Sequence, residues 1–244
     1  MTDPGLNAKK IHIVCDFDDT LTTTNVARGL LTEYAPHDRL AEIRDRYVSG
    51  EISFRVYQEQ AFDLAGRSVA QLSERAVVNA SIRPLARETY EFVRKAGGTF
   101  AIASAGLDFY IGPVLTKAGL DRAEINCGRV VSDPAQSPPF RYDYPSAEKS
   151  CKGDWVTCKC EVIRRLKRDD VESEVIFIGD GQLSDTCAAA NAADTVFATD
   201  KLLDYCIEND IEVTRFDEDF GPVIEYVTKV RGGENVRNRR SIEQ

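Results

Sequence analysis

An apolar run, IHIVC at residues 11–15, ends in three carboxylates within four positions: Asp16, Asp18 and Asp19. Carboxylates this close repel one another, so they must share protons or hold a cation. Two later apolar runs end in the same way. TFAIAS (99–104) closes on Ser104, and EVIFIGDGQLSD (174–185) carries Asp180 and Asp185. Lys159 stands where a helical pattern begins, ahead of that third run. Neighbouring parallel strands bring their carboxyl ends to one edge, where ligands bind. An all-oxygen donor set there suits Mg²⁺ better than zinc. The Ser104 hydroxyl and Lys159 ammonium can hold phosphoryl oxygens. A carboxylate can then attack phosphorus and form an aspartyl-phosphate. A second carboxylate two residues on returns to the same side of an extended segment. From there it can protonate the leaving oxygen and later activate water. Singly, each feature has a plainer reading: a polar strand end, a capping serine, a solvated lysine, a turn. Their order, each at the end of an element, argues for chemistry.

The rest of the chain supplies elements to position these groups. From about Thr22 to Ile82, apolar residues recur at spacings of three and four, and no strand pattern appears. Beyond it, strand and helix patterns alternate, which implies βαβ units and a parallel sheet. The expected architecture is α/β: a Rossmann-like parallel sheet flanked by helices, with a small all-helical cap inserted after the first strand. Residues 1–21 and 83–232 form the catalytic core in this reading, 22–82 the cap, and 233–244 a flexible tail. The stretch 124–157 contains SDPAQSPPFRYDYP, too rich in proline for a central strand or helix. It reads as a hairpin with a long surface loop.

Composition narrows the function classes. The 244 residues are 43% hydrophobic and 29% charged, enough to bury a substantial core. A net charge of −9 argues against broad binding to nucleic acid or anionic membranes, which needs a basic face. No apolar run is long enough to span a bilayer, and MTDPGLNAKK does not read as a signal peptide. A cytoplasmic protein with reduced thiols is expected, a monomer or homodimer. Cys151, Cys158 and Cys160 lie within ten residues, and Cys127 falls near them across the hairpin. Free thiols are the favoured reading; structural zinc and a disulfide are the alternatives. Cys15, Cys187 and Cys206 read as core.

The ordered set DFDDTLT, TFAIAS, Lys159 and GDGQLSD resembles the four motifs of the haloacid dehalogenase superfamily of aspartate-nucleophile phosphatases. The resemblance covers about residues 10–230. It implies Asp16 as nucleophile and Mg²⁺ ligand, and Asp18 as general acid/base, giving its backbone carbonyl to Mg²⁺. It implies Ser104 and Lys159 as phosphoryl-binding groups, with Ala105, Gly106 and Asn25 at the substrate. Asp180 would be a metal ligand, and Asp185 would support the metal waters or Lys159. Asp19 stands where relatives often carry glycine. A cap after the first motif is similar to the phosphoserine-phosphatase branch. Yet Asn25 replaces that enzyme's glutamate, and Glu59 falls where its substrate-binding arginine would be, with Arg55 nearby. SAGLDFYI, SCKGDWVTCKCEVI and FATDKLLDYC more closely resemble the methionine-salvage enol-phosphate phosphatase group. The resemblance thus implies a small phosphorylated metabolite as partner, an enol-phosphate or an intermediate of specialised biosynthesis. Asn25 with Phe54, Tyr57 and Phe62 would suit a neutral or partly apolar leaving group. A phosphotransferase or mutase using the same aspartyl-phosphate, and a non-catalytic binding protein on this scaffold, are the alternatives.

Overall fold

A computed structural model describes residues 9–132, 140–149, 151 and 155–240, the side chains of residues 132 and 231–240 excepted. Residues 133–139 of the proline-rich stretch therefore lie outside the described residues. The strands are β1 (Ile11–Cys15), β2 (Phe100–Leu107), β3 (Glu124–Ser132), β4 (Phe140–Asp143), β5 (Glu174–Gly179), β6 (Thr195–Ala198) and β7 (Thr214–Arg215). They form one sheet in the order β4-β3-β2-β1-β5-β6-β7, parallel except for the antiparallel β3–β4 hairpin.

Alternation along the strands explains the layers. Ile11, Ile13 and Cys15 of β1 share one face with Phe100 and Ile102, Ile176 and Ile178, and Phe197. Val14, Ala101, Ala103, Val175 and Phe177 share the other. Both faces are apolar, as a parallel sheet covered on both sides requires. The first face is covered by α5 (Ala86–Lys95), α6 (Asp108–Lys117) and α10 (Gly221–Arg240). The second is covered by α7 (Lys159–Asp169), α8 (Ser184–Asn191) and α9 (Asp200–Glu208).

Four helices lie between β1 and α5: α1 (Val26–Tyr34), α2 (His37–Val48), α3 (Phe54–Leu64) and α4 (Val69–Asn79). Asn25, Ser53 and Ser68 start α1, α3 and α4, each side chain accepting from an amide of the first turn. The chain leaves for these helices and returns at one place. Thr22 and Ile82 form an antiparallel bridge, and Arg83 N donates to Leu21 O at 2.8 Å. The Arg83 guanidinium is buried beside it. It donates to Thr20 O and Asp19 O, both at 2.8 Å, and to Asp217 O.

Two features depart from the sequence-based expectation. α10 continues to Arg240, past residue 232 where the core was expected to end. Gly232 and Gly233 each cost a helix about 1 kcal/mol but leave its backbone hydrogen bonding possible. Cys187 is exposed rather than core. Asp185, Ala188 and Ala189 form the buried stripe of α8, and position 187 falls off that stripe. Among the described residues, no helix is long and apolar enough to cross a membrane.

Candidate active site

β1 delivers Asp16 to the carboxyl edge of the sheet, where its amide donates to Ile178 O of β5 at 2.9 Å. The chain then makes one wide turn, Phe17–Leu21, closed by Thr22 N donating to Phe17 O at 3.0 Å. Within it Asp18 is extended, so its side chain leaves the turn toward α1. Its Oδ1 accepts from Val26 N at 2.6 Å and from Ala27 N at 3.4 Å; its Oδ2 accepts from the Tyr110 hydroxyl at 3.0 Å. Burial, helped by the charge of Asp16, pushes the Asp18 carboxyl up to about 7 against these hydrogen bonds. Asp19 has φ 60°, the left-handed region that glycine enters most easily. Its carboxylate accepts from Asn25 Nδ2 at 3.0 Å and faces Arg28 at 3.6 Å.

Lys159, at the first position of α7, is buried between two carboxylates. Its Nζ lies 2.6 Å from Asp16 Oδ2 and also contacts Asp185 Oδ1. Burial opposes its charge, but the two carboxylates win and hold its pKa above that of an ordinary lysine. Burial pushes Asp16 up to about 6, with Lys159 opposing. Asp180, just beyond β5, accepts from the Thr20 hydroxyl at 2.6 Å. Burial, then the charge of Asp16, pushes it up to about 7. Asp185 is buried at the start of α8, and its Oδ2 accepts from Gly181 N at 2.9 Å.

Ser104, buried in β2, accepts from Gly106 N at 3.0 Å. The next carbonyl, of Ala105, accepts from Gln58 Nε2 of α3 at 2.8 Å. Gly106 has to be glycine: a Cβ there would lie 1.9 Å from the Tyr110 hydroxyl oxygen.

These residues line a cavity of about 840 Å³ between the sheet edge and α1 and α3. Asp16, Asp18, Asn25, Ser104, Ala105, Gly106, Asp180 and Asp185 all line it, and Lys159 reaches it through Asp16 and Asp185. Carboxylate oxygens of Asp16, Asp180 and Asp185 lie within 4.8 Å of one another. Three carboxylates face one ammonium, all donors are oxygen, and two of the carboxyls are pushed up. That set fits a hard divalent cation. The Asp18 carboxylate points to α1 instead, so any metal contact from Asp18 rests on its backbone. Asn25 is occupied as the cap of α1: its Oδ1 accepts from Arg28 N at 2.8 Å, while its amide binds Asp19. Arg55 donates to Trp155 O at 2.8 Å, and Glu59 accepts from the Tyr144 hydroxyl at 2.5 Å. Neither belongs to the cavity lining among the described residues. Tyr110, Thr20 and Gln58 were not singled out by sequence. Tyr110 lies in the quoted SAGLDFYI stretch and Thr20 in DFDDTLT, whereas Gln58 carries no local signal.

Comparison with known proteins gives the family. A family profile described as haloacid dehalogenase-like hydrolase matches residues 13–190. The chain is 30% identical to a 2-hydroxy-3-keto-5-methylthiopentenyl-1-phosphate phosphatase of Exiguobacterium sibiricum, over 89% of this chain and 96% of the relative. It is also 30% identical to the bifunctional enzyme MtnB/MtnX of Bacillus licheniformis, over 97% of this chain and 54% of the relative, so it spans about half of that protein. Among solved structures, a phospho-aspartyl intermediate analogue of phosphoserine phosphatase superposes with a TM-score of 0.63 at 16% identity. That match covers 90% of this chain and 99% of the other. Cytosolic 5'-nucleotidase IIIB bound to cytidine superposes at 0.60 with 13% identity, over 93% and 88%. These two likenesses concern the fold. The chain belongs to the haloacid dehalogenase-like hydrolase family, as one of its phosphatases.

Proposed function

We propose that this chain hydrolyses a small phosphomonoester with Mg²⁺ through an aspartyl-phosphate on Asp16. The observation that carries the reading is the placement of Asp16 at the β1 edge, held at 2.6 Å by buried Lys159 beside Asp180 and Asp185. The Asp16 carboxylate attacks phosphorus, and Lys159 with the Ser104 hydroxyl holds the phosphoryl oxygens. Asp18 gives a proton to the leaving oxygen, then takes one from the water that cleaves the aspartyl-phosphate. Asp16, Asp180 and the backbone carbonyl of Asp18, with Asp185 in support, would hold Mg²⁺, which would supply positive charge against the phosphoryl oxygens. Helices α1–α4 act as a cap that selects the leaving group.

Leu31, Leu40, Phe54, Tyr57, Phe62 and Trp155 line the cavity around that group. Gln58 is tied to Ala105 O, and Asn25 to its own helix. The apolar side chains favour a partly apolar leaving group, with Arg28, Lys201 and Asp204 as charged members of the same lining. The methionine-salvage enol-phosphate named for the Exiguobacterium relative has that character. Phosphate release from a panel of monoesters, with and without Mg²⁺, tests both points. Mg²⁺-dependent turnover highest on the enol-phosphate is expected; equal or higher turnover of phosphoserine would overturn the substrate reading. Asp16→Asn should lower kcat by at least ~10⁴-fold in a folded protein. Full activity of that variant would refute the nucleophile.

A further inference from the structure

Cys160 pairs with Cys187, and Cys158 with Cys151. Cys160, the residue after Lys159, is buried in the first turn of α7, and Cys187 lies two residues after Asp185 on α8. Their sulfurs are 2.7 Å apart. The two helices pack against each other, and Cys187 is exposed at the surface of the pair. Cys158 hydrogen-bonds with Cys151 and lies near Cys187 as well. Cys127, which chain order places near them, lies beside Asp108 and Arg129. Among the described residues, the only group bringing three metal-ligating atoms within 4.8 Å is Asp16, Asp180 and Asp185. No trio of thiols among the described residues lies within that distance, and Cys160 and Cys187 make a close two-sulfur contact.

We infer that Cys160 and Cys187 are a paired thiol site that closes to a disulfide by exchange with a low-molecular-weight disulfide, tying α7 to α8 next to Lys159 and Asp185. Accessible Cys187 loses its proton and attacks one sulfur of the small disulfide. A mixed disulfide forms and the first small thiol leaves. Cys160 then loses its proton and attacks the Cys187 sulfur, expelling the second small thiol. Two protein thiols are oxidised, and one small disulfide is reduced to two thiols. The bond closes a loop between helices that already touch, so it removes freedom mainly from the unfolded chain. The site is independent of the substrate reading.

Treatment of the full-length reduced protein with excess oxidised glutathione tests this. The protein should lose two of its seven thiols. Peptide mapping should recover a linked pair containing Cys160 and Cys187. The thermal midpoint should rise by about 5 °C or more, and dithiothreitol should reverse the change. Cys160→Ser and Cys187→Ser should each abolish the rise, while Cys151→Ser keeps it. No thiol loss, a linkage to any other cysteine, glutathione retained on Cys187, or an unchanged or lower midpoint would each overturn the inference. The wild-type peptide map decides the linkage even where a variant folds poorly.

Discussion

Asp18 owes its position to the start of the next helix and to one residue far from it in sequence. Its carboxylate is held on one side by the first amides of α1 and on the other by the Tyr110 hydroxyl. Tyr110 is itself fully buried, and Gly106 leaves the space its hydroxyl fills. Removing that hydroxyl takes away one hydrogen bond to an ionisable group, worth about 1.5–3 kcal/mol. Tyr110→Phe should therefore fold normally and lower kcat roughly 10-fold or more with KM little changed, measured by steady-state phosphate release. Gly106→Ala drives a methyl group at the same hydroxyl, so it should lower kcat at least as far. Its unfolding in urea should also show a loss of about 1–3 kcal/mol from overpacking.

The turn after β1 is an element that cannot hold itself. Asp19 is in the left-handed region, and the carbonyls of Asp19 and Thr20 turn inward. One guanidinium, from Arg83 at the far end of the four-helix segment, binds both and reaches Asp217 O as well. Arg83→Met keeps much of the bulk but strips three carbonyls of their donor. Urea unfolding should show a loss of about 3 kcal/mol, the sum expected when buried acceptors lose a charged partner. A change below about 1 kcal/mol would mean that water replaces the guanidinium. The far side of the segment is fastened separately. Tyr142 donates to Asp63 at 2.9 Å and Tyr144 to Glu59, so the hairpin β3–β4 and the loop after it grip α3.

Over the whole molecule, stability depends on pH through buried titratable groups of opposite sign. His12 lies within β1, and its Nδ1 accepts from Thr99 N at 3.0 Å, which requires the neutral ring. Burial lowers its pKa below the ordinary 6.5, with Asp170 and Asp169 opposing and Lys10 assisting. The unfolded chain therefore takes up this proton first as pH falls. The His12 contribution is present above pH 6.5 and is lost as pH falls toward its lower folded value. Asp16, Asp18 and Asp180 act in reverse in metal-free protein, because burial, with their mutual repulsion second, raises their folded pKa values and protonation removes the buried charge. Comparison with His12→Asn, whose amide oxygen can still accept from Thr99, isolates the histidine. Between pH 7 and 5 the wild-type urea midpoint should fall relative to the variant's; parallel profiles would contradict the assignment.

What the sequence determined by itself is what local pattern encodes. Apolar runs such as EVIFIG specify strands because a parallel sheet is dry on both faces, and three-and-four spacing specifies the helices between them. Polar residues at the ends of those runs were bound to meet once the strands lay side by side, which is why Asp16, Ser104 and Asp180 were legible as one cluster. Only the tertiary structure decided how each side chain is used. Asn25 binds Asp19 through its amide while its oxygen caps α1, because the left-handed turn at Asp19 brings that carboxylate beside the helix start. Asp18 faces Tyr110 rather than the other carboxylates, because its extended backbone aims it away from them. Cys187 is exposed and meets Cys160, because one residue of offset moves it off the buried stripe of α8. Arg83 spans to Asp19, Thr20 and Asp217 across 63 to 134 residues of chain. Periodicity reports which face a residue presents to its neighbours. It holds no record of what stands opposite, and that is set when separate elements pack.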